Sequence, residues 1–144
     1  MVRFLVAYDG SDEAKLALKR AIEDAKLRDA DIIILEVIEV EPGRYKMYGD
    51  PIHEAEKEAK KALKALQKLR EQLEEPRLHI DVRTRIGHPV AEIVEEAEES
   101  GVDTIYMGSK GLSGVAKMLL GSVAEGVMRH APCNVLVIRQ EKEE

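Results

Sequence analysis

Five short apolar segments alternate with segments that repeat apolar residues at helical spacing, and this alternation limits the possible folds most strongly. The apolar segments are residues 2–8, 31–40, 78–86, 102–107 and 134–138. The helical patterns lie between them, at about residues 11–25, 52–74, 90–99 and 122–130. Strands that alternate with helices predict an α/β fold in which a parallel sheet carries helices on both faces. We therefore expect a doubly wound, five-stranded parallel sheet.

The chain length supports one domain. Its 144 residues are enough to bury a substantial core and argue against two separate cores, so we predict a single domain over residues 1–144. Within it, the glycines and prolines of residues 41–51 predict a long mobile loop, and the charged residues 140–144 predict a frayed tail. The single cysteine, Cys133, excludes an intrachain disulfide.

Charge and hydropathy restrict the partners. The net charge of −6 argues against a general affinity for nucleic acid, because phosphate backbones attract basic proteins. No apolar run approaches the roughly 18 residues of a membrane-spanning helix, and no basic start precedes an apolar signal segment. The sequence therefore predicts a cytoplasmic protein that begins at Met1 and has neither a nucleic acid nor a membrane as partner.

Three glycines follow the fourth predicted strand at a distinctive spacing. Two residues separate Gly108 from Gly111, nine separate Gly111 from Gly121, and Ser122 then stands at a predicted helix start. Glycine lets a ligand approach the main chain closely, and a helix start offers unpaired N–H groups and a positive dipole end. We interpret the stretch as a polyphosphate cradle in which these four residues donate hydrogen bonds and Lys110 supplies a counter-charge.

Ser122 also has a purely structural interpretation. The residues from Ser122 to Glu125 match a capping box, in which the serine hydroxyl satisfies the start of its own helix. Capping would still leave other N–H groups of the helix start for a phosphate, so the two interpretations are compatible.

Asp9 follows the first predicted strand and supplies the other half of the hypothesis. Ligands of doubly wound sheets bind at the carboxyl ends of the strands, where the strand order reverses. If the first and fourth strands are neighbours, Asp9 and the glycines flank one crevice. The nearby Asp12 and Glu13 would repel a triphosphate, whereas a carboxylate accepts hydrogen bonds from ribose hydroxyls. We therefore expect the ribose at Asp9 and the phosphates at the glycines.

Several common catalytic and binding motifs are absent from the sequence. There is no Gly-x-x-x-x-Gly-Lys-Ser/Thr segment, and the glycines do not form Gly-x-Gly-x-x-Gly. The four histidines lack helical i,i+4 pairing and cysteine partners at zinc-site spacing, so we predict no metal site made by protein alone. No Ser-His-Asp or Cys-His set can be assembled from neighbouring elements, and we nominate no catalytic residue.

Four motifs stand in order along the chain. They are Leu-Val-Ala-Tyr-Asp-Gly-Ser at residues 5–11, Gly87-x-Pro89-x3-Ile93, the Gly-x2-Gly-x9-Gly-Ser pattern that begins at Gly108, and Pro-Cys-Asn-Val-Leu-Val-Ile at residues 132–138. With these motifs the chain resembles, over nearly its whole length, the ATP-binding universal stress proteins. The resemblance implies a Rossmann-like sheet of strand order 3-2-1-4-5. It also implies ATP as ligand, with Mg²⁺ or Mn²⁺ carried by the phosphates, and a homodimer formed through the last strand, at Val135, Leu136, Val137 and Ile138.

The resemblance also implies roles for individual residues. Asp9 would hold the ribose, the backbone around Ala7 and Val37 would line the adenine pocket, and Met107 and Gly108 would close it. The phosphates would lie against Gly111, Gly121, Ser122 and Val123. The function implied is that of a nucleotide-dependent regulator or switch in the stress response. Two alternatives remain open, a slow ATPase or phosphotransfer enzyme and a nucleotide-free dimeric interaction module.

Overall fold

The computed structural model describes residues 1–40, 50–110 and 120–140. Its strands are β1 (Arg3–Ala7), β2 (Asp31–Ile38), β3 (Ile80–Ile86), β4 (Thr104–Gly108) and β5 (Asn134–Ile138). Its helices are α1 (Asp12–Arg28), α2 (Pro51–Leu73), α3 (Pro89–Ser100) and α4 (Ser122–His130). The strands are all parallel and form one sheet of order β3-β2-β1-β4-β5. The predicted fold class and strand order are therefore confirmed.

The sheet is buried on both faces. Along β1, Phe4 and Val6 belong to the core beneath α1 and α2, whereas Leu5 belongs to the core beneath α3 and α4. These three side chains have no exposed surface. The long amphipathic helix α2 rests on the first of these cores through Leu66. Burial on both faces explains why β1 and β2 appear in the sequence as continuous apolar runs rather than as alternating patterns.

The start of α2 lies within the predicted mobile loop. Residues 41–49 of that prediction lie outside the described residues, but Asp50 and Pro51 open the helix. The Asp50 carboxylate accepts a hydrogen bond from the N–H of Ile52 at 3.1 Å, and Pro51 occupies the first turn. Proline suits this position because its missing N–H would have no helical acceptor. The helix therefore begins one residue before its apolar pattern does.

Gln140, the first residue of the predicted frayed tail, contacts the rest of the molecule. Its backbone N–H donates a hydrogen bond to Glu13 at 2.8 Å. The remainder of the predicted frayed tail, residues 141–144, lies outside the described residues. Among the helices of the described ranges, none is long and apolar enough to span a lipid bilayer.

The candidate site lies at the centre of the sheet. β1 pairs with β2 on one side and with β4 on the other, so the first and fourth strands are neighbours, as predicted. The strand order reverses at this point, and the carboxyl ends of β1 and β4 open a crevice between them.

Candidate functional site

A cleft of about 260 Å³ opens at the carboxyl ends of β1, β2 and β4. Six of the residues predicted to form a site lie on its wall, namely Ala7, Asp9, Val37, Met107, Gly108 and Val123. Gly121 and Ser122 stand at the start of α4, directly before Val123. Gly111 lies outside the described residues. The structure thus brings most of the predicted residues together at one place.

One side of the cleft is apolar. Side-chain alternation along β2 points Leu35 and Val37 towards the face covered by α3 and α4, and both residues line the cleft. Pro89 and Ile93, from the first turns of α3, complete this wall. The sequence contained a signal for these two residues in the Gly87-x-Pro89-x3-Ile93 pattern, but we had assigned them no role in the site.

The turn after β1 holds Asp9 at the other side of the cleft. The Asp9 carboxylate accepts a hydrogen bond from the Ser11 N–H at 2.9 Å, and Gly10 between them has φ = +79°, a conformation that favours glycine. Ser11 then caps α1, its hydroxyl accepting from the Ala14 N–H at 3.2 Å. This short turn positions the Asp9 carboxylate at the cleft.

The cleft is electronegative near Asp9. Burial raises the pKa of the Glu36 carboxyl, and the negative charge of Asp9 raises it further. The pKa of the Tyr8 phenol is raised by burial and then by the charges of Glu36 and Asp9. Glu39 also lines the cleft on this side. Asp9 and Glu39 would repel a polyphosphate at this end of the cleft, and neither Asp12 nor Glu13, the two charges of the sequence argument, is among the residues that line it.

The start of α4 differs from the capping box predicted for Ser122. Gly121 is the N-cap residue, Ser122 is the first helical residue and is exposed, and among the described residues no side chain caps this helix. The predicted capping box is therefore wrong. The first N–H groups of a helix have no acceptor within it, and an uncapped start favours an anion there.

The N–H of Gly121 has a partner already. It donates to the carbonyl oxygen of Ser109 at 2.6 Å, so it is not one of the donors that the sequence interpretation made available to a ligand. The next residues of α4, Ser122 and Val123, have N–H groups without an acceptor inside the helix.

Gly108 and Gly121 also allow parts of the protein to pack closely. A Cβ atom on Gly108 would lie 2.7 Å from the Cβ of Glu13, and one on Gly121 would lie 2.9 Å from the carbonyl oxygen of Ser109. Both distances are shorter than normal van der Waals contacts. The sequence interpretation attributes these glycines to the approach of a ligand, whereas the structure shows that internal packing already requires them.

Glu13 is a residue of this region that the sequence did not reveal. Its carboxylate accepts hydrogen bonds from the Ser109 hydroxyl at 2.7 Å, from the Lys110 N–H at 2.9 Å and from the Gln140 N–H at 2.8 Å. Burial alone would raise the pKa of this carboxyl, but the hydrogen bonds from Gln140, Ser109 and Lys110 and the charge of Lys110 together lower it. The sequence interpretation treats Glu13 as a charge near Asp9 that repels a triphosphate, whereas the structure places its carboxylate against Ser109 and Lys110, beside the chain that follows β4.

Residues 1–139 match the model of the universal stress protein family. The chain belongs to this family. Universal stress protein MJ0531 of Methanocaldococcus jannaschii is 36% identical over 149 aligned residues, which cover 99% of this chain and 84% of that protein. A universal stress protein of Staphylococcus haemolyticus is 36% identical over 141 residues, covering 96% of this chain and 84% of the relative.

Solved structures of universal stress proteins share the fold. UspA from Lactobacillus plantarum superposes with a TM-score of 0.83 at 26% identity, covering 96% of this chain and 97% of that one. The hypothetical protein MJ0577 superposes with a TM-score of 0.85 at 29% identity, covering 98% and 97%. A universal stress protein in complex with cAMP superposes with a TM-score of 0.62 at 28% identity, covering 95% and 96%.

Within the described ranges, this universal stress protein has no group of three or more His, Cys, Asp or Glu side chains placed to hold a metal ion. These described residues instead combine an apolar wall, the carboxylate of Asp9 and the start of α4, whose N-cap residue is a glycine. Such a combination suits an organic ligand that carries both a hydrophobic group and an anionic group.

Proposed function

We propose that this universal stress protein binds ATP in the cleft and acts as a nucleotide-dependent regulator or switch in the stress response. One observation carries the proposal: Asp9 and Val123, from opposite sides of the sheet's switch point, line the same cleft. The cleft therefore presents a carboxylate at one end and the start of a helix at the other. A nucleotide likewise carries hydroxyl donors on its ribose and anionic acceptors on its phosphates.

Charge and hydropathy orient the nucleotide. The adenine ring lies against the apolar wall, at Ala7, Val37, Met107 and Gly108, where stacking and burial stabilise a flat ring. The ribose hydroxyls donate to Asp9. The phosphates face the start of α4, at Gly121, Ser122 and Val123, and Gly111 keeps the role that the resemblance implies for it. Lys110, which lines the cleft, adds a positive charge at the phosphate end.

The relatives support an adenine nucleotide. The universal stress protein crystallised with cAMP binds a ligand with the same base and ribose. The proposed preference for ATP over a cyclic monophosphate rests on the positive dipole end at the start of α4 and on Lys110, because both favour a longer and more highly charged phosphate chain.

Mg²⁺ or Mn²⁺ would accompany the phosphates. Because the described residues hold no cluster of metal-ligating side chains, the ion would be held by phosphate oxygens and water. Mg²⁺ commonly binds in this way, keeping several of its waters.

The proposal is tested by extracting the purified protein and identifying bound nucleotide by mass spectrometry, followed by calorimetric titration with ATP, cAMP and adenosine. We expect retained adenine nucleotide and an affinity order in which ATP binds most tightly. If the protein retains no nucleotide and ATP does not raise the melting temperature, it is a nucleotide-free interaction module. Turnover of ATP above background that is lost in Asp9→Ala would instead indicate an ATPase or phosphotransfer enzyme.

We also propose that two copies of the chain pair through β5. This strand is at an edge of the sheet, hydrogen-bonded to β4 on one side. Val135, Leu136, Val137 and Ile138 are half-buried, so an apolar strand lies at a sheet edge where unpaired N–H and C=O groups favour addition of another strand. Sedimentation equilibrium tests the pairing. A dimer is expected at micromolar concentration, and a monomer there would contradict it.

A further inference from the structure

The buried carboxylate of Glu13 lies behind the proposed phosphate end of the cleft. Its residue is only 8% exposed. An ionised carboxylate at such a position is costly unless donors surround it. Here three donors do so, and two of them are backbone N–H groups, of Lys110 and Gln140. The position of Glu13 is thus determined by main-chain atoms as well as by the Ser109 side chain.

These donors join segments that are distant in the chain. Ser109 and Lys110 follow β4 directly, and Gln140 follows β5, while Glu13 itself lies in the first turn of α1. The side chain and backbone of Ser109 connect the carboxylate to a fourth segment. Its hydroxyl donates to Glu13, and its carbonyl oxygen accepts the N–H of Gly121, the N-cap residue of α4. Glu13 therefore reaches the start of α4 through one intervening residue.

The same contacts explain why Glu13 can come so close. Gly108 has no Cβ, and an added one would lie 2.7 Å from the Cβ of Glu13. The end of β4 consequently packs directly on the first turn of α1. The completely buried Ser109 is then held between the Glu13 carboxylate and the Gly121 N–H.

We propose that Glu13 is a positioning residue for the phosphate end of the cleft, acting through Ser109 on the start of α4 and linking this end to the chain after β5 through Gln140. The inference rests on the proposed function. It assigns Glu13 no contact with the nucleotide. Substitution of Glu13 should therefore change the affinity for ligands that carry phosphates more than the affinity for ligands without them. A purely structural role would change both affinities alike.

The test compares Glu13→Gln with Glu23→Gln, which neutralises an exposed glutamate on the same helix. Affinities for ATP and for adenosine are measured by calorimetry, with melting temperatures as a check on folding. Glu13→Gln removes a negative charge, which by itself would favour phosphate, and it also removes an oxygen that accepts from the protein's own N–H and O–H groups. We expect the loss of positioning to dominate, so that ATP binds about tenfold more weakly while adenosine binding is nearly unchanged, and tighter ATP binding would overturn the inference. Glu23→Gln should leave both affinities unchanged.

A second variant keeps the inference testable if Glu13→Gln does not fold. Ser109→Ala removes the hydroxyl donor while leaving the carbonyl oxygen that accepts from the Gly121 N–H. This variant should also lose more affinity for ATP than for adenosine. Where both single variants fold, the ATP affinity of the double variant should fall by a factor smaller than the product of the two single factors, because the two residues act through one contact. Equal losses for both ligands, or no loss for either, would overturn the inference while leaving the proposed function standing. Failure of the wild-type protein to bind ATP would overturn both.

Discussion

Substituting Gly121 by alanine should separate the two explanations for this glycine. The added Cβ would lie 2.9 Å from the carbonyl oxygen of Ser109, 3.2 Å from the Cα of Lys110 and 3.3 Å from its carbonyl oxygen. All three atoms belong to the backbone and cannot be relieved by a rotamer change. The start of α4 must therefore move away from β4 by a few tenths of an ångström, which also strains the hydrogen bond between the Gly121 N–H and Ser109.

The expected magnitudes follow from these contacts. Overpacking of this kind typically costs about 1 to 3 kcal/mol, which for a chain of this size lowers the melting temperature by roughly 3 to 10 °C. Displacement of the helix start should weaken one charge-assisted hydrogen bond to a phosphate, a loss of about 1.5 kcal/mol or about tenfold in affinity. Adenosine, which would lie on the apolar wall and against Asp9, should bind with nearly unchanged affinity.

The assay combines thermal unfolding with calorimetric titration of ATP and adenosine, and Gly126→Ala is its matched control. Gly126 is also on α4, and a Cβ there would meet the Cγ2 atom of Val90 at 2.7 Å. The Cγ1 atom of the same valine would lie at 3.1 Å, so this substitution also crowds α4, but against a side chain of α3 rather than against the backbone after β4, and alanine gains about 1 kcal/mol over glycine inside a helix. Gly126→Ala should keep ATP affinity. If Gly121→Ala melts at the wild-type temperature and binds ATP as tightly, the packing argument for the start of α4 is wrong.

Three further substitutions test other parts of the structure. Asp9→Asn keeps an oxygen for the Ser11 N–H but removes the negative charge. In calorimetry, adenosine should therefore bind about tenfold more weakly, while the binding of inorganic tripolyphosphate is unaffected. Equal losses for the two ligands would show that the two ends of the cleft are assigned the wrong way round. Ser11→Ala removes the cap of α1 and should cost about 1 kcal/mol in chemical denaturation; an unchanged free energy of unfolding would contradict the capping role. Val135→Lys places a charge on the edge strand and should give monomers in sedimentation with ATP binding retained; a persistent dimer would show that β5 is not the interface.

The fold could be predicted from the sequence because its signals are local. Strands such as β5 and helices such as α4 have the same bounds in the sequence pattern and in the structure. Apolar periodicity encodes which face of an element is buried, and the alternation of elements then leaves few topologies. Errors at the ends of elements were small and had identifiable causes, as at Asp50 and Pro51, where a cap and a proline begin α2 before its apolar pattern does.

The candidate site could be predicted only in part, because half of it depends on contacts between distant segments. Asp9 was recognisable from its place after an apolar strand. Glu13 was not, since its partners Ser109 and Gln140 lie 96 and 127 residues further along the chain. A glutamate in a first helical turn usually faces solvent, and only the close approach of β4 to α1 buries this one.

The glycine spacing predicted the place of the candidate site, but ligand approach explains only part of why glycine stands at these positions. Gly108 permits β4 to contact α1, and Gly121 permits α4 to contact the chain after β4, so each would be required even without a ligand. Their combined effect brings the start of α4 to the same cleft as Asp9. A phosphate-binding helix start must be held close to the sheet to share a ligand with it, and glycine at both contacts makes that distance possible. The packing role and the proposed binding role of these residues therefore have a common geometric cause, and a substitution that relaxes the packing should be detected first in affinity for the phosphates.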